Sequence, residues 1–140
     1  MGDRVTLGHY VYTIFDVQWM TQLGVGPSAR IPSSRFLLVR FRTLNSGAVE
    51  TMVPAMTLED DSGHVYEELS DGDQVPQWVG FIRPVAPAAS VQGNIVFDVP
   101  PAHYKLRIKD ETEQRAALID LPLTFSREAP PDLPATLPKQ

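Results

Sequence analysis

The sequence contains no cysteine. This absence excludes disulfide bonds, thiol nucleophiles, cysteine-based zinc sites and iron–sulfur clusters. It leaves the compartment open, because a chain without thiols tolerates oxidising and reducing surroundings equally. The sequence also lacks an apolar run long enough for a transmembrane helix, and it opens on the charged residues MGDR rather than on a recognisable signal peptide.

Positive charge is scarce and scattered. Twelve Lys and Arg residues stand against 17 Asp and Glu residues, which gives a net charge of −5 and a pI near 5.1. A nucleic-acid-binding protein needs a basic face, so we expect no nucleic-acid partner. The hydrophobic fraction of 43% and the length of 140 residues suit one globular domain with its own core.

The clearest pattern lies in residues 90–108. In its first half, one face of an extended chain collects Val91, Ile95, Phe97 and Val99. In its second half, polar residues alternate with Tyr104, Leu106 and Ile108. A period of two is typical of strands with one buried and one solvated face. Because Pro100 and Pro101 cannot donate to a strand ladder, we predict a pair of strands joined by a proline turn.

Similar stretches occur along the chain, separated by turn-forming Gly, Pro, Asn and Asp residues. They cover residues 4–7, 9–20, 35–45, 49–53, 56–58, 65–66, 80–85 and 119–125. Within residues 9–20, we expect the inward face to carry Val11, Phe15, Val17 and Trp19. Phe36 and Leu38 interrupt the alternation of their strand, which predicts that both faces are covered there. The absence of helical periodicity favours an all-β sandwich or barrel, and the proline-rich residues 127–140 are predicted to be a tail or linker.

Four segments carry a family resemblance, in the order GDRVTLGHYVYTIFDV, FLLVRFRTLNSG, MTLEDDSGHVYEE and VQGNIVFDVPPAHYKLRI. Together they resemble the DUF4352 family of bacterial immunoglobulin-like domains, whose fold is related to that of the mycobacterial secreted antigen MPT63. The last segment is the most specific, because it matches the pattern G-x-ϕ-x-F-x-ϕ-P before the penultimate turn. Residues 86–89, APAA, depart from the usual proline-glycine lead-in.

The resemblance implies an immunoglobulin-like antiparallel β-sandwich of about seven to nine strands over residues 1–126. It also implies an origin in exported proteins or lipoproteins, although the lipoprotein cysteine is missing from this chain. We therefore expect an extracytoplasmic location, which would be secreted, periplasmic or at the cell envelope.

The side chains of this sequence that could bind a metal ion are those of histidine, aspartate, glutamate and methionine. The three histidines, His9, His64 and His103, match no metal motif and are expected at the surface. Calcium would need oxygen ligands such as those of Glu59, Asp60, Asp61, Asp71 and Asp73, yet the EF-hand pattern is absent, which favours solvated acidic turns over a calcium site. Copper would suit Met20, Met52 and Met56, but isolated methionines normally fill cores.

Two polar, irregular segments, residues 22–34 and 69–79, are long enough to be functional loops. Trp78 lies in the second loop and Tyr66 lies shortly before it. An exposed aromatic side chain is a typical binding anchor, although Trp78 could equally cap the sandwich. The candidate partner-binding residues are therefore Trp78, Tyr66, Asp71 and Asp73.

We predict a non-enzymatic binding or structural module of an exported bacterial protein. It would use these loops or an exposed sheet edge to bind a protein partner, and no cofactor is expected. The alternative is a carrier domain for a small ligand or for a calcium or copper ion. An enzyme is disfavoured, because the sequence contains no G-x-S-x-G motif and no nucleophile–base pair can be named. The oligomeric state stays open.

Overall fold

The computed structural model describes residues 2–122, which form two four-stranded antiparallel sheets and one two-stranded ribbon. The predicted end of the last strand at residue 125, the domain boundary at residue 126 and the tail of residues 127–140 lie outside the described residues. The strands are β1 (Asp3–Leu7), β2 (Tyr10–Met20), β3 (Phe36–Asn45), β4 (Thr51–Met52), β5 (Thr57–Asp60), β6 (Val65–Glu67), β7 (Pro84–Val85), β8 (Ser90–Asp98), β9 (Tyr104–Lys109) and β10 (Ala116–Asp120). A 3₁₀ turn covers Gly26–Ser28.

The first sheet has the strand order β1-β2-β3-β8, and the second has the order β10-β9-β5-β6. The short strands β4 and β7 pair only with each other. The predicted all-β immunoglobulin-like antiparallel sandwich is therefore confirmed. Residues 2–122 form ten strands rather than seven to nine, because β4 and β7 count as strands of two residues each.

The main core fills the space between the two sheets. Its largest fully buried members include Tyr10, Tyr12, Phe41, Phe97 and Tyr104. Burial of a large apolar side chain stabilises a fold by about 1.5–3 kcal/mol, so this cluster holds the sheets together. The Tyr12 hydroxyl donates a 2.6 Å hydrogen bond across the core to the Lys109 carbonyl, and burial raises the pKa of Tyr12 above its ordinary value.

The two strands and the proline turn between them are present as predicted, but the strands on either side of Pro100-Pro101 do not pair with each other. Strand β8 pairs with β3 in the first sheet, whereas β9 pairs with β5 and β10 in the second. The proline turn is therefore a crossover between sheets. Pro100 and Pro101 have no backbone N–H group, so they are suited to a connection that makes no strand hydrogen bonds between the first sheet and the second. The Tyr104 hydroxyl fixes this crossover through a 2.5 Å hydrogen bond to the Pro100 carbonyl.

A β-bulge in β2 overturns part of the predicted inward face. The register against β3 shifts between Ile14 and Asp16, which leaves Phe15 as the extra residue. One extra residue reverses the side-chain alternation. The inward residues are consequently Tyr10, Tyr12, Ile14, Val17 and Trp19. The predicted positions of Val17 and Trp19 are confirmed, and those of Val11 and Phe15 are wrong.

A charged pair lies fully inside the sandwich, at residues 68 and 83. The Arg83 guanidinium contacts the Glu68 carboxylate through Nη1–Oε1 at 2.8 Å and Nη2–Oε2 at 2.9 Å, and both side chains are 0% exposed. Arg83 also donates to the carbonyls of Pro54 and Gly80, while Glu68 accepts from the Met56 N–H. The pair thereby joins three irregular segments that have no long strand of their own.

Candidate recognition surface

The outer face of the first sheet is divided into a covered and an uncovered half. In the covered half, the strand register places Leu38 beside Val96 and Phe36 beside Asp98. The side chains of Phe36, Leu38 and Val96 are buried together with Leu23 and Val75 from the two predicted loops. The prediction that β3 is covered on both faces at this end is confirmed. The covering layer, residues 22–34 and 69–79, is called the roof below.

One arginine ties the two loops of the roof together. Arg30 Nη1 donates to the carbonyl oxygens of Asp71 and Asp73, each at 2.8 Å. Its guanidinium carbon also lies 5.4 Å from the centre of the Phe36 ring, which is a cation–π distance. Charge-assisted hydrogen bonds of this kind are about twice as strong as neutral ones, so the loops are held as one unit.

Hydrogen bonds attach both loops of the roof to β8 of the first sheet. The Asp98 carboxylate accepts the N–H groups of Ser33 at 2.8 Å and Ser34 at 2.9 Å. On the other loop, the Asn94 N–H donates to the Gln77 carbonyl at 2.9 Å, and the Val79 N–H donates to the Asn94 carbonyl at 3.2 Å. These bonds cover part of the outer edge of β8, where a partner strand would otherwise add.

Trp78 lies inside the roof, half buried against the second core cluster. Its ring sits directly on the backbone of Gly72, where an added Cβ would be only 1.8 Å from the Trp78 Cδ2 atom. The flanking residues Gln74 and Gln77 have φ values of 68° and 53°, a conformation that is uncommon for residues other than glycine. Trp78 thus packs the loop that carries Asp71 and Asp73.

The structure brings only some of the candidate residues together. Asp71 and Asp73 are exposed on the roof, and the Asp71 carboxylate accepts the N–H of Asp73 at 3.0 Å. Tyr66 lies in the second sheet, where its ring is 5.7 Å from that of Tyr104. Trp78 and Tyr66 therefore belong to different clusters.

Two exposed aliphatic residues on the roof were missed by the sequence reasoning. Val25 is 81% exposed and Ile31 is 68% exposed. They flank the backbone bridge between Leu23 and Arg30, which fixes the base of their loop. The sequence shows only that Val25 and Ile31 are apolar residues in a loop that contains glycine and proline. This pattern does not distinguish a buried side chain from an exposed one.

The acidic residues are distributed over separate sites. Burial raises the pKa of Asp60, but the N–H groups of His64 and Ser62 outweigh this effect and hold that pKa below its ordinary value. His103 lies between the carboxylates of Asp61, at 2.8 Å, and Asp120, at 2.5 Å. These two hydrogen bonds raise the pKa of His103.

Within residues 2–122, no group of three or more His, Asp or Glu side chains is placed to hold a metal ion. The carboxylates proposed for calcium lie apart, because residues 59–61 belong to the second sheet and residues 71 and 73 to the roof. Met56 is in the main core, Met20 packs against the roof cluster and Met52 is exposed. The described part of the chain also contains no helix of sufficient length and apolarity to cross a membrane.

No family profile and no curated protein matches this chain. Its fold is similar to that of solved β-sandwich structures. The yjhA protein from Bacillus subtilis superposes with a TM-score of 0.66 at 14% identity, covering 87% of this chain and 98% of that one. An uncharacterised β-sandwich protein from Clostridium difficile gives a TM-score of 0.54 at 10% identity, over 87% of this chain and 91% of that one.

A third structure, ycdA from Bacillus subtilis, is provisionally described as a lipoprotein. It gives a TM-score of 0.64 at 16% identity, and the match covers 86% of this chain but only 38% of ycdA. At these identities the comparisons show a shared fold.

Proposed function

We propose that this chain is a non-enzymatic binding module that recognises a protein partner through the roof. The observation that carries the proposal is the exposure of Val25 and Ile31 on a loop that is otherwise held in place. An aliphatic side chain exposed on a mobile loop is ordinary, but one exposed on an anchored loop presents a fixed apolar contact.

The anchoring of the roof supports this function on energetic grounds. Binding by a flexible loop is weakened by the entropy lost when each side chain and backbone segment is ordered. Here Arg30 and Asp98 hold the loops before any partner arrives. More of the apolar contact energy is then available for affinity.

The candidate residues take different roles in this proposal. Asp71 and Asp73 form a polar rim beside the apolar contacts, an arrangement that protein interfaces commonly show. Trp78 acts indirectly, because its packing on Gly72 positions the segment between these aspartates. Tyr66 lies on the second sheet and takes no part in this surface.

We further propose that the module belongs to an exported protein and acts outside the cytoplasm. Two observations support this location. The segment VQGNIVFDVPPAHYKLRI resembles the DUF4352 family, and one protein of similar fold is provisionally described as a lipoprotein. Localisation of the tagged protein in cell fractions of the source bacterium tests it, and recovery in the cytosolic fraction would contradict it.

The test of the binding function uses the full chain, immobilised and exposed to an envelope extract of the source bacterium. We expect a discrete protein to be retained in stoichiometric amount, and retention to be lost in the double variant Val25→Asp, Ile31→Asp. The matched control is Val49→Asp, since Val49 is 66% exposed and lies off the roof.

The proposal fails if the roof variant retains the same protein as the unmodified chain, or if nothing is retained. Melting temperatures of all variants are measured first, so that loss of folding is not mistaken for loss of binding. A rise in melting temperature with calcium or copper ions alone would instead support a carrier, because a ligand of the folded state stabilises it by mass action.

A further inference from the structure

The uncovered half of the first sheet presents outward side chains that the roof does not cover. Strand register places one row of outward side chains across all four strands, Arg4, Thr13, Arg42 and Gln92. The next row contains Thr6, Val11, Leu44 and Ser90. We call these two rows, with Arg40, the arginine floor. It ends at Asn94, where the roof begins.

The floor reverses the sign of charge that the chain carries overall. The net charge is −5, yet the floor presents three arginines, of which Arg40 is paired with the carboxylate of Asp16. Arg40 donates to Asp16 Oδ2 from Nε at 3.2 Å and from Nη2 at 2.8 Å. Arg4 and Arg42 are exposed, and within residues 2–122 neither has an acidic partner at ion-pair distance.

The floor also carries apolar surface beside its arginines. Val11 and Leu44 are directly opposite each other in the neighbouring row, and both are only partly buried. Phe15, which the β-bulge turns to this side, lies 4.8 Å from the Arg40 guanidinium carbon. A ligand made only of phosphate or sugar groups would leave this apolar row without a contact, whereas a peptide can cover both kinds of group.

We propose that the arginine floor binds an extended acidic segment of a partner polypeptide. Arginine is suited to carboxylates, because its planar guanidinium donates two parallel hydrogen bonds to them. Arg40 and Arg42 are two residues apart on β3, which separates them by about 7 Å, the same spacing as alternate side chains of an extended peptide. Acidic side chains at alternate positions would therefore meet Arg40 and Arg42, and an aliphatic side chain at the next alternate position would cover Leu44 and the adjacent Val11.

This binding surface is separate from the roof and does not depend on it. The backbone groups of β2 and β3 are already paired within the sheet, so the segment would be recognised through side chains rather than by strand addition. A single partner could contact both surfaces, since they share one face of the sandwich, but each is tested by its own variants.

The test is a selection of random dodecapeptides displayed on phage, carried out on the immobilised full chain. We expect enrichment of peptides with Asp or Glu at two alternate positions and an aliphatic residue at the next alternate position. The synthetic form of the most enriched peptide is then titrated by fluorescence anisotropy. The double variant Arg40→Gln, Arg42→Gln should bind it about tenfold more weakly, in line with the loss of two exposed ion pairs in a favourable geometry.

The matched control is Lys105→Gln, Arg115→Gln, which removes the same charge from exposed positions off the floor. It should change the affinity less than twofold. Arg42→Lys keeps the charge without the planar fork and should give an intermediate affinity. Binding should also weaken as ionic strength rises.

Several results would overturn the proposal. Enrichment of neutral or basic peptides would do so, as would equal binding by the floor variant and its control. Competition by inorganic polyphosphate at the same affinity as the peptide would indicate an anionic polymer as ligand instead. Self-association that the floor variant abolishes would indicate a second copy of the chain. The roof variant Val25→Asp, Ile31→Asp should leave peptide affinity unchanged, so failure of one surface is distinguishable from failure of the other.

Discussion

Replacement of Arg83 by methionine should destabilise the fold more than any surface change described above. In the Arg83→Met variant, the Glu68 carboxylate stays buried without its guanidinium partner. The carbonyls of Pro54 and Gly80 lose their donors at the same time. A charge left alone in a core cannot recover its hydration, so its free energy rises steeply.

The expected magnitude follows from the geometry of the pair. Removal of one partner of a buried ion pair raises the free energy of folding by about 3–5 kcal/mol. For a domain of this size, that corresponds to a fall in melting temperature of about 10–20 °C. Folded domains have free energies of unfolding of about 5–15 kcal/mol, so the variant should still fold but with little remaining stability.

The reverse change, Glu68→Leu, should be about as severe, because it leaves the Arg83 charge buried and removes the acceptor of the Met56 N–H. The double variant Arg83→Met, Glu68→Leu contains no buried charge. Its remaining defects are three backbone groups without partners, at about 1 kcal/mol or more each. We therefore expect it to be no less stable than either single variant.

The assay is urea unfolding followed by the fluorescence of Trp19 and Trp78, with a double-mutant cycle over the two positions. The control is Arg107→Met, whose partner Glu59 lies 3.4 Å away on the surface, and which should change stability by less than about 1 kcal/mol. Additive effects of the two single variants would refute the reasoning, since a coupled buried pair requires a coupling energy of about 3 kcal/mol or more.

Three further predictions concern single positions. The Gly93→Ala variant should destabilise the roof by about 2 kcal/mol or more, because the new Cβ would lie 2.2 Å from the Gln77 carbonyl oxygen. Amide hydrogen exchange at residues 69–79 should therefore be faster in this variant than in the unmodified chain. Because the pKa of His103 is raised in the folded state, protonated His103 should stabilise the fold fully below about pH 6.5, and this contribution should be lost as pH rises through the folded-state pKa. The difference in urea midpoint between the unmodified chain and His103→Gln should therefore shrink from pH 6 to pH 9. A constant difference would contradict this prediction. The Tyr12→Phe variant lacks the hydrogen bond to the Lys109 carbonyl. Urea unfolding should show that its free energy of unfolding is about 1–3 kcal/mol lower than that of the unmodified chain.

Local patterns were sufficient to predict the strands but not their partners. The alternation in residues 90–108 located β8 and β9 closely, because a period of two depends only on which side chains avoid water. It could not show that the two strands lie in different sheets. A turn containing Pro100-Pro101 is compatible with either arrangement, and the choice depends on the distant strands β3 and β5.

The candidate surface shows a similar division. Loop composition predicted that residues 22–34 and 69–79 would be irregular, and the composition of β3 predicted cover on its outer face. The contact between Arg30 and the carbonyls of residues 71 and 73 could not be predicted, because backbone acceptors leave no mark in the sequence. The sequence also left open whether Trp78 was a binding anchor or a cap of the sandwich, because its packing site is Gly72, which has no side chain to indicate a contact.

By itself, the sequence determined the all-β class, the position of most strands and the irregular loops, since these follow from the period of apolar residues and from turn-forming side chains. Only the tertiary structure decided which faces meet. The bulge at Phe15 reverses the alternation of β2 midway, and strand register places Arg4 on the same face as Arg40 and Arg42, which are distant from it in sequence. Neither result is local, because strand register is fixed by the complete set of side chains that the two sheets bury between them.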